Sequence, residues 1–391
     1  MRPSLAGMDA PGMRPARQLD WSTMKRIRTA VIGGGHLGRI HTKLLLQNPK
    51  FELIAVCDPQ PLIQQRMIQE FDIRVVSNYH KILDQVEAAV IATPTSLHAP
   101  VAQDCLEQGI HLLVEKPLTH ELLAAEQILE RAQEQQRVVL VGHVERYNPA
   151  ICAALAAVGT PRFMSAVRAS SYPFRSTDIG AVLDLMIHDI DLANAIFDAP
   201  LTDVRACGSS MLGGHEDVAF AHLTFANGGV AQLQASRCSL QPQRMLHIYG
   251  VHGFASVDLS QHGVQCVHIP DWLQRGDVNV NELPAEVQAL AKDRFFEMVL
   301  PRHEMSVEPA NAIAAEHAEW GAAIRQGKPL RVTLPQAVAA VKIASQISSS
   351  IAQQSATSMR SINPAHFALS APSPPIRFPI PAEFQSPPHA A

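Results

Sequence analysis

The N-terminal third of the chain alternates short apolar runs with helical patterns, and this alternation restricts the possible folds more than any other feature of the sequence. The apolar runs lie at residues 28–32, 51–57, 88–92, 111–114 and 138–141. Such runs are typical of strands buried on both faces of a parallel sheet, because helices cover both faces. Residues 25–145 are therefore predicted to form a doubly wound α/β domain of the Rossmann type.

The pattern changes after residue 145. Strand-like segments follow one another with few helices between them, at residues 162–170, 218–225, 229–236, 245–249 and 255–258. The Asn-Gly-Gly sequence at residues 227–229 is a hairpin signal. Helices are predicted at 180–197, 309–326 and 334–352. Residues 146–355 are therefore predicted to form an α+β domain with a mostly antiparallel open sheet, and the last helix is expected to pack back on the first domain.

Both ends of the chain depart from these patterns. Residues 1–24 are rich in Pro, Gly, Met and Arg, and they are predicted to form a disordered extension. Residues 356–391 are dense in proline, which predicts a polyproline-like or disordered tail.

Composition excludes several classes of protein. Apolar residues make up 47% and charged residues 17%, which is typical of a soluble globular protein. No apolar run approaches the ~20 residues of a membrane span, and a net charge of -4 gives no general attraction to nucleic acid. The six scattered cysteines lack metal-ligand spacing, so free thiols in a reducing cytoplasm and no metal site are predicted.

A glycine-rich turn follows the first predicted strand. Residues 33–38 (GGGHLG) fit G-x-G-x-x-G, and the next strand ends in an acid at Asp58. The glycines allow a tight turn, close approach of the backbone to a pyrophosphate, and close packing of helix on strand. The Asp58 carboxylate can accept hydrogen bonds from the hydroxyls of the adenosine ribose, and its charge repels a 2′-phosphate. This favours NAD over NADP. The predicted cofactor contacts here are Gly33, Gly35, His36, Leu37, Gly38 and Asp58.

Two further loops follow predicted strands, at residues 93–98 (TPTSLH) and 115–117 (EKP). Ligands of open α/β sheets bind at the carboxyl ends of strands. Lys116 can therefore donate to a substrate hydroxyl and stabilise the developing alkoxide, although a surface ion pair fits the spacing equally. Pro117 is a candidate for a cis peptide. The further predicted cofactor contacts are Thr93, Pro94, His98 and Glu115.

An acid and a histidine lie four positions apart in the helix predicted at 180–197. That spacing puts Asp184 and His188 on one face, with Asp191 on the same side. A carboxylate that orients an imidazole makes a general-base pair. A capping aspartate followed by a core histidine has the same spacing, so the pattern alone leaves both interpretations open.

The combination of VIGGGHLG, CDP, ATPTSLH and VEKPL resembles the glucose–fructose oxidoreductase / inositol dehydrogenase (Gfo/Idh/MocA) family over about residues 26–350. The resemblance implies oxidation of a secondary alcohol on a sugar ring, with NAD as hydride acceptor. It implies that Lys116 lies beside the nicotinamide and the reacting carbon, that His188 is the base, and that Asp184 binds substrate or orients the base. It also implies a dimer or tetramer joined through the open sheet.

The substrate is less well defined by the sequence. Residues 142–149 (GHVERYNP) form either a substrate-binding edge or an interdomain hinge. Arginine forks suit a diphosphate, but solvated surface arginines fit the same positions. The predicted substrate contacts are Arg146, Tyr147, Asn148, Arg168, Arg175 and Arg237, with Arg244 a further arginine of the same kind.

GHVERYNP together with VLDLMIHDIDL resembles one branch of the family, the nucleotide-sugar 3-dehydrogenases. This branch implies a cytoplasmic enzyme that oxidises C3 of UDP-N-acetylglucosamine and works with an aminotransferase in lipid A biosynthesis. The alternatives are a dehydrogenase of a free cyclitol, a hexose or a UDP-hexuronic acid, an NAD-responsive binding protein, and an NAD-dependent glycosidase.

Overall fold

The computed structural model describes residues 25–174, 178–212, 214–261 and 263–358. Its first domain is a six-stranded parallel sheet in the order β3-β2-β1-β4-β5-β6. The strands are β1 (Ile27–Ile32), β2 (Phe51–Cys57), β3 (Val75–Val76), β4 (Ala88–Ile91), β5 (His111–Val114) and β6 (Val139–Val141). The helices between them are α1 (His36–Gln47), α2 (Pro61–Phe71), α3 (His98–Glu107) and α4 (Leu122–Glu134). The predicted doubly wound sheet is confirmed.

Side chains of this sheet pack into two separate hydrophobic cores, one on each face of the sheet. Along β1, Ala30 and Ile32 pack into one core, whereas Ile27 and Val31 pack into the other. Successive side chains of a strand point to opposite faces of the sheet. When helices cover both faces, the side chains on both faces must therefore be apolar. The continuous apolar runs in the sequence follow from this arrangement.

The strand order reverses between β1 and β4. The glycine turn follows β1, residues 93–98 follow β4, and residues 115–117 follow β5. Parallel neighbours end at the same edge of the sheet, so the three motifs lie together at the switch point where doubly wound folds bind ligands.

The second domain is an eight-stranded sheet in the order β14-β13-β12-β11-β7-β10-β9-β8. Its strands are β7 (Pro161–Ala169), β8 (Leu201–Ser209), β9 (Val218–Phe225), β10 (Val230–Ser236), β11 (Gln243–Gly250), β12 (Gly253–Asp258), β13 (Gly263–His268) and β14 (Arg302–Met305). Among the described strands of this sheet only β7 and β10 pair in parallel, which confirms the mostly antiparallel sheet. The strand pattern in the sequence did not reveal β8, β13 and β14, whose exposed or mixed faces give weaker apolar runs.

Helices cover one face of this second sheet. The remaining helices are α5 (Pro149–Val158), α6 (Ile187–Phe197), α7 (Asp271–Gln274), α8 (Ala285–Asp293), α9 (Phe295–Met298), α10 (Ala312–Gln326) and α11 (Leu334–Ser358). Of these, α5, α6 and part of α11 pack their buried side chains against the sheet. A π-helix, Val182–Met186, directly precedes α6, whereas the sequence predicts a continuous α-helix there.

The last two long helices pack against the first domain as well. Trp320 of α10 is fully buried and stacks on Phe51 of β2, with 5.5 Å between ring centroids. In α11, Ala337 and Val341 pack into the first domain, and Ile343 and Ile347 pack into the second. The predicted boundary at residue 146 assigns α10 wholly to the second domain, whereas its side chains complete the Rossmann core.

No helix within the described ranges is long and apolar enough to cross a membrane. The predicted N-terminal extension and nearly all of the predicted proline-rich tail lie outside the described residues.

Removal of the Trp320 side chain tests the packing of α10. We expect Trp320→Ala to lower the free energy of unfolding by about 3–5 kcal/mol, because it empties a large buried volume. Urea unfolding followed by circular dichroism measures the change. Trp272→Ala, in the short and more exposed helix α7, is the control and should cost less than about 1 kcal/mol. Equal effects of the two changes would contradict the assignment of α10 to the Rossmann core.

Candidate active site

The glycine turn has no room for side chains at two of its positions. Gly33 has φ of +101°, and a Cβ there would lie 2.5 Å from the Ala92 carbonyl oxygen. A Cβ on Gly38 would collide with the Gly33 carbonyl. At Gly35 the space that a Cβ would enter is open, and no side chain caps α1, which begins at the next residue. This turn therefore presents the free amides and partial positive charge of a helix N-terminus to a close-lying phosphate.

Asp58 stands at the end of β2, beside this turn. Its Oδ2 accepts the Gly34 amide at 2.9 Å and its Oδ1 accepts the Gln60 amide at 2.9 Å. Each carboxylate oxygen keeps a further lone pair for a ribose hydroxyl. The open glycine turn and the placed carboxylate fit NAD, whose pyrophosphate and adenosine ribose they would hold.

A cleft of about 820 Å³ lies between the two domains. The first domain lines it with His36, Leu37, Thr93, Pro94, His98, Glu115 and Lys116. The second domain contributes Arg168, Asp184, His188 and Arg244. The predicted cofactor loops and the predicted catalytic side chains thus share one space. Thr93 Oγ1 is buried without a hydrogen-bond partner among the described residues, which fits a polar ligand at this wall.

The histidine of the TPTSLH loop links two of the cleft loops. His98 is buried, with Nδ1 2.8 Å from the Pro117 carbonyl oxygen and Nε2 3.0 Å from that of Thr93. Burial lowers the pKa of His98, so the neutral ring donates to one carbonyl at a time. Its contacts therefore tie the loops together, and the Lys116–Pro117 peptide between them is cis, as the sequence suggests.

Lys116 reaches across the cleft to the second domain. Its Nζ donates to the Asp184 carbonyl oxygen at 2.8 Å and lies 3.3 Å from Asp184 Oδ1. Asp184 lies in the π-helix, and such insertions are frequent at functional sites. One residue thus contributes both a backbone and a side-chain oxygen to fix the ammonium.

His188 follows in the first turn of α6. Its side chain lines the cleft, and its Nδ1 is buried without a hydrogen-bond partner among the described residues. Burial, followed by the charges of Lys116 and Arg168, holds the pKa of His188 well below the ordinary 6.5. The ring is therefore neutral at physiological pH, which is the form that accepts a proton.

The wall behind His188 is a buried charge network. Arg168 is 4% exposed, and its Nε and Nη2 pair with the two carboxylate oxygens of Asp189 at 3.2 and 2.9 Å. Its Nη1 lies 3.1 Å from Glu145 Oε1. These two acids engage three of the five N–H donors of Arg168, and the side chain is almost fully buried. The predicted diphosphate contact therefore does not fit this geometry, although the residue does line the cleft.

Other predicted substrate contacts lie outside the cleft lining, because their polar groups serve internal contacts. Arg146 forms a fork on Asp191 at 2.7 and 3.0 Å, so Asp191 pairs there and not with His188. The Tyr147 hydroxyl donates to Glu319 at 2.8 Å. Asn148 Oδ1 caps α5 by accepting the Ala150 amide.

The prediction that Arg237 contacts the substrate is wrong for the same reason. It is 2% exposed, and it donates to Asp217 at 2.6 Å and to the Ile179 carbonyl oxygen at 2.8 Å. Arg175 lies outside the described residues. Arg244, at the start of β11, is exposed and lines the cleft, and none of the described carboxylates forms an ion pair with it. In the GHVERYNP segment, Val144 and Glu145 line the cleft in place of the three residues predicted.

Comparison with known proteins shows which family the chain belongs to. Residues 27–143 match the model described as "Oxidoreductase family, NAD-binding Rossmann fold", and residues 156–256 match the GFO/IDH/MocA C-terminal domain. UDP-N-acetylglucosamine 3-dehydrogenase of Acidithiobacillus ferrooxidans is 37% identical over 246 residues, which are 63% of this chain and 78% of that protein. The chain belongs to the GFO/IDH/MocA oxidoreductase family.

Further relatives support the same assignment. A solved structure of the Acidithiobacillus ferrooxidans enzyme superposes with a TM-score of 0.72 at 30% identity, covering 84% of this chain and 98% of that one. The scyllo-inositol 2-dehydrogenase (NAD(+)) of Bacillus subtilis is 29% identical over 233 residues, which are 55% of this chain and 68% of that protein. This GFO/IDH/MocA protein is accordingly an NAD-binding oxidoreductase.

Replacement of the cleft lysine separates chemistry from cofactor binding. We expect Lys116→Ala to lower kcat by about two to three orders of magnitude, the scale for loss of one donor to a developing oxyanion. NAD affinity, measured by calorimetry, should stay nearly unchanged because the glycine turn and Asp58 are untouched. Near-normal turnover in Lys116→Ala would remove the role that we assign to the lysine.

The pKa of His188 gives a pH dependence with a definite sign. Because this pKa is lowered, the ring stays neutral as the pH falls through 6.5, and protonation needs more acid conditions. We therefore expect kcat/KM, which reports the free enzyme, to be retained at pH 6 and to fall only at lower pH. An acid limb centred at or above pH 6.5 would contradict a buried neutral base.

Proposed function

We propose that this protein oxidises the C3 hydroxyl of UDP-N-acetylglucosamine to a ketone. The observation that carries the proposal is the meeting of Lys116, Asp184 and His188 in one cleft with the NAD-binding loops. The Acidithiobacillus ferrooxidans relative, named for this reaction, supports the choice of substrate.

The cleft residues account for the proton and for the developing charge. The neutral ring of His188 takes the hydroxyl proton as the C–O bond gains double-bond character. The Lys116 ammonium, held by the carbonyl oxygen and Oδ1 of Asp184, donates to the oxygen that becomes negative. Bound NAD supplies the acceptor for the hydride that leaves the same carbon. The products are a 3-keto sugar, NADH and a proton on His188.

Arg244 is the cation that we assign to the diphosphate of the substrate. Arg168 and Arg237 are engaged by buried acids, whereas Arg244 lies exposed on the cleft wall. An arginine without an acidic partner can offer its paired donors to phosphate oxygens. The same cleft wall thus holds a base for the sugar and a cation for the nucleotide end.

Replacement of Arg244 tests this assignment. We expect Arg244→Ala to raise KM for UDP-N-acetylglucosamine about 10- to 100-fold, since a charge-assisted hydrogen bond contributes about 1.5–3 kcal/mol. kcat should change little, because Arg244 does not contact the reacting carbon in this proposal. Arg302→Ala, on the edge strand β14, is the matched control and should leave KM unchanged. An unchanged KM in Arg244→Ala would contradict a diphosphate contact.

The reaction itself is tested with purified protein, NAD and a panel of sugars. The panel contains UDP-N-acetylglucosamine, UDP-hexuronic acids, free hexoses and inositols, and the readouts are NADH absorbance and product mass. We expect a product two hydrogens lighter only from UDP-N-acetylglucosamine. A parallel run contains an aminotransferase and glutamate, because amination of the ketone shifts the oxidation equilibrium toward product. Turnover of free sugars alone would refute the nucleotide-sugar substrate, and sugar release without net NADH would indicate a glycosidase.

A further inference from the structure

A loop of the second sheet holds the turn that lies just before Asp184. This turn, residues 180–182, is buried. Glu216, in the loop between β8 and β9, contacts it twice. Its carbonyl oxygen accepts the Ala181 amide at 2.9 Å, and its Oε1 accepts the Val182 amide at 3.1 Å. Two of the amides that a helix leaves unpaired at its N-terminus thereby have partners, and a carboxylate lies where the helix dipole favours negative charge.

Gly180 leaves the space that this carboxylate occupies. A Cβ on Gly180 would collide with the Glu216 carboxyl group, which supplies the three atoms nearest to it. The φ of Gly180 lies outside the left-handed region, so its backbone conformation does not itself require glycine. The glycine is therefore needed for the room that it leaves to Glu216.

A buried ion pair holds the same stretch of chain one residue earlier. Arg237 donates from Nη1 to the Ile179 carbonyl oxygen at 2.8 Å and from Nε to Asp217 Oδ1 at 2.6 Å. Asp217, which is 0% exposed, directly follows Glu216 in the chain. Because its neighbour is fixed in this way, the backbone of Glu216 has little freedom to move away from the turn.

The turn that Glu216 holds leads directly to the contact with Lys116. The Gly180 carbonyl oxygen accepts the Asp184 amide at 2.9 Å, and the Asp184 carbonyl oxygen accepts from Lys116 Nζ at 2.8 Å. We propose that Glu216 is a positioning residue, which sets the place of the Asp184 backbone and thereby that of the Lys116 ammonium. Glu216 is not one of the described residues that line the cleft, so it acts through residues 180–184 and not on the substrate.

The proposal rests on the role that we assign to Lys116, and it is tested first without a sugar. Trace labelling with acetic anhydride, followed by peptide mass spectrometry, measures the reaction rate of each lysine. We expect Glu216→Ala to raise the rate at Lys116 about five- to tenfold relative to the exposed Lys81, the order of one lost hydrogen bond. An amine that is no longer held by fixed oxygens is more available to attack the reagent. Glu216→Gln keeps an acceptor oxygen and should restore the slow rate.

Replacement of Gly180 displaces the same carboxylate without removing it. We expect Gly180→Ala to raise Lys116 labelling as Glu216→Ala does. In both variants kcat for UDP-N-acetylglucosamine should fall about 10- to 100-fold, since a misplacement of about 1 Å can cost ~10²-fold. In a Glu216→Ala background the space is free, so Gly180→Ala should have no further effect. Alanine favours a helix more than glycine does, so helix propensity does not account for a loss.

Controls separate positioning from stability. Gly263→Ala, where a Cβ meets no atom within 4 Å, should change neither labelling nor kcat. The Kd of NAD should stay unchanged in every variant, because the glycine turn is untouched. A lower thermal midpoint with unchanged Lys116 labelling in Glu216→Ala would show a role in stability alone and overturn the proposal. A Gly180→Ala effect of full size in the Glu216→Ala background would overturn it as well. Faster Lys116 labelling without oxidation of any sugar would support the positioning role and contradict the proposed function instead.

Discussion

The contact of Lys116 with Asp184 joins the two domains inside the cleft that we propose as the active site. Lys116 follows a strand of the parallel sheet, and Asp184 lies in a π-helix of the second domain. Neither domain alone can hold the ammonium, because one supplies the donor and the other supplies both acceptors. The parallel sheet places Lys116 beside the nucleotide turn, and α6 continues from Asp184 to present His188. Together with α10 and α11, which pack against the first domain as well, this contact holds the nucleotide turn and the proposed base in one cleft.

The sequence predicts the elements of this site that depend on backbone geometry. Gly33 and Gly38 stand where a Cβ would collide with backbone atoms, so residues other than glycine do not fit at these positions. The strand-end acid at Asp58 follows from the length of a βαβ unit. Apolar runs revealed the first sheet because both of its faces are covered. Helices cover one face of the second sheet, so its outer strands mix apolar and polar residues. These strands were therefore harder to recognise in the sequence.

The sequence was less informative about side chains whose role depends on a distant partner. The sequence shows that an arginine carries a positive charge, but it does not show which acidic residue pairs with that arginine in the fold. Arg168 and Arg237 meet Asp189 and Asp217, which are 21 and 20 positions away, and they are thereby unavailable to a ligand. The buried pair of His41 and His317 is separated by 276 positions and leaves no local pattern. Only a family resemblance or the folded structure can bring such residues together.

The return of the chain to the first domain has a consequence for synthesis on the ribosome. The strands of the Rossmann sheet end at Val141, but Trp320 and Val332 belong to the core on one of its faces. The N-terminal segment therefore emerges with an apolar surface that its own residues cannot cover. That surface stays open while the strands of the second sheet are translated, and such exposed patches favour aggregation. The domain that begins first is thus completed only when α10 and the start of α11 have emerged.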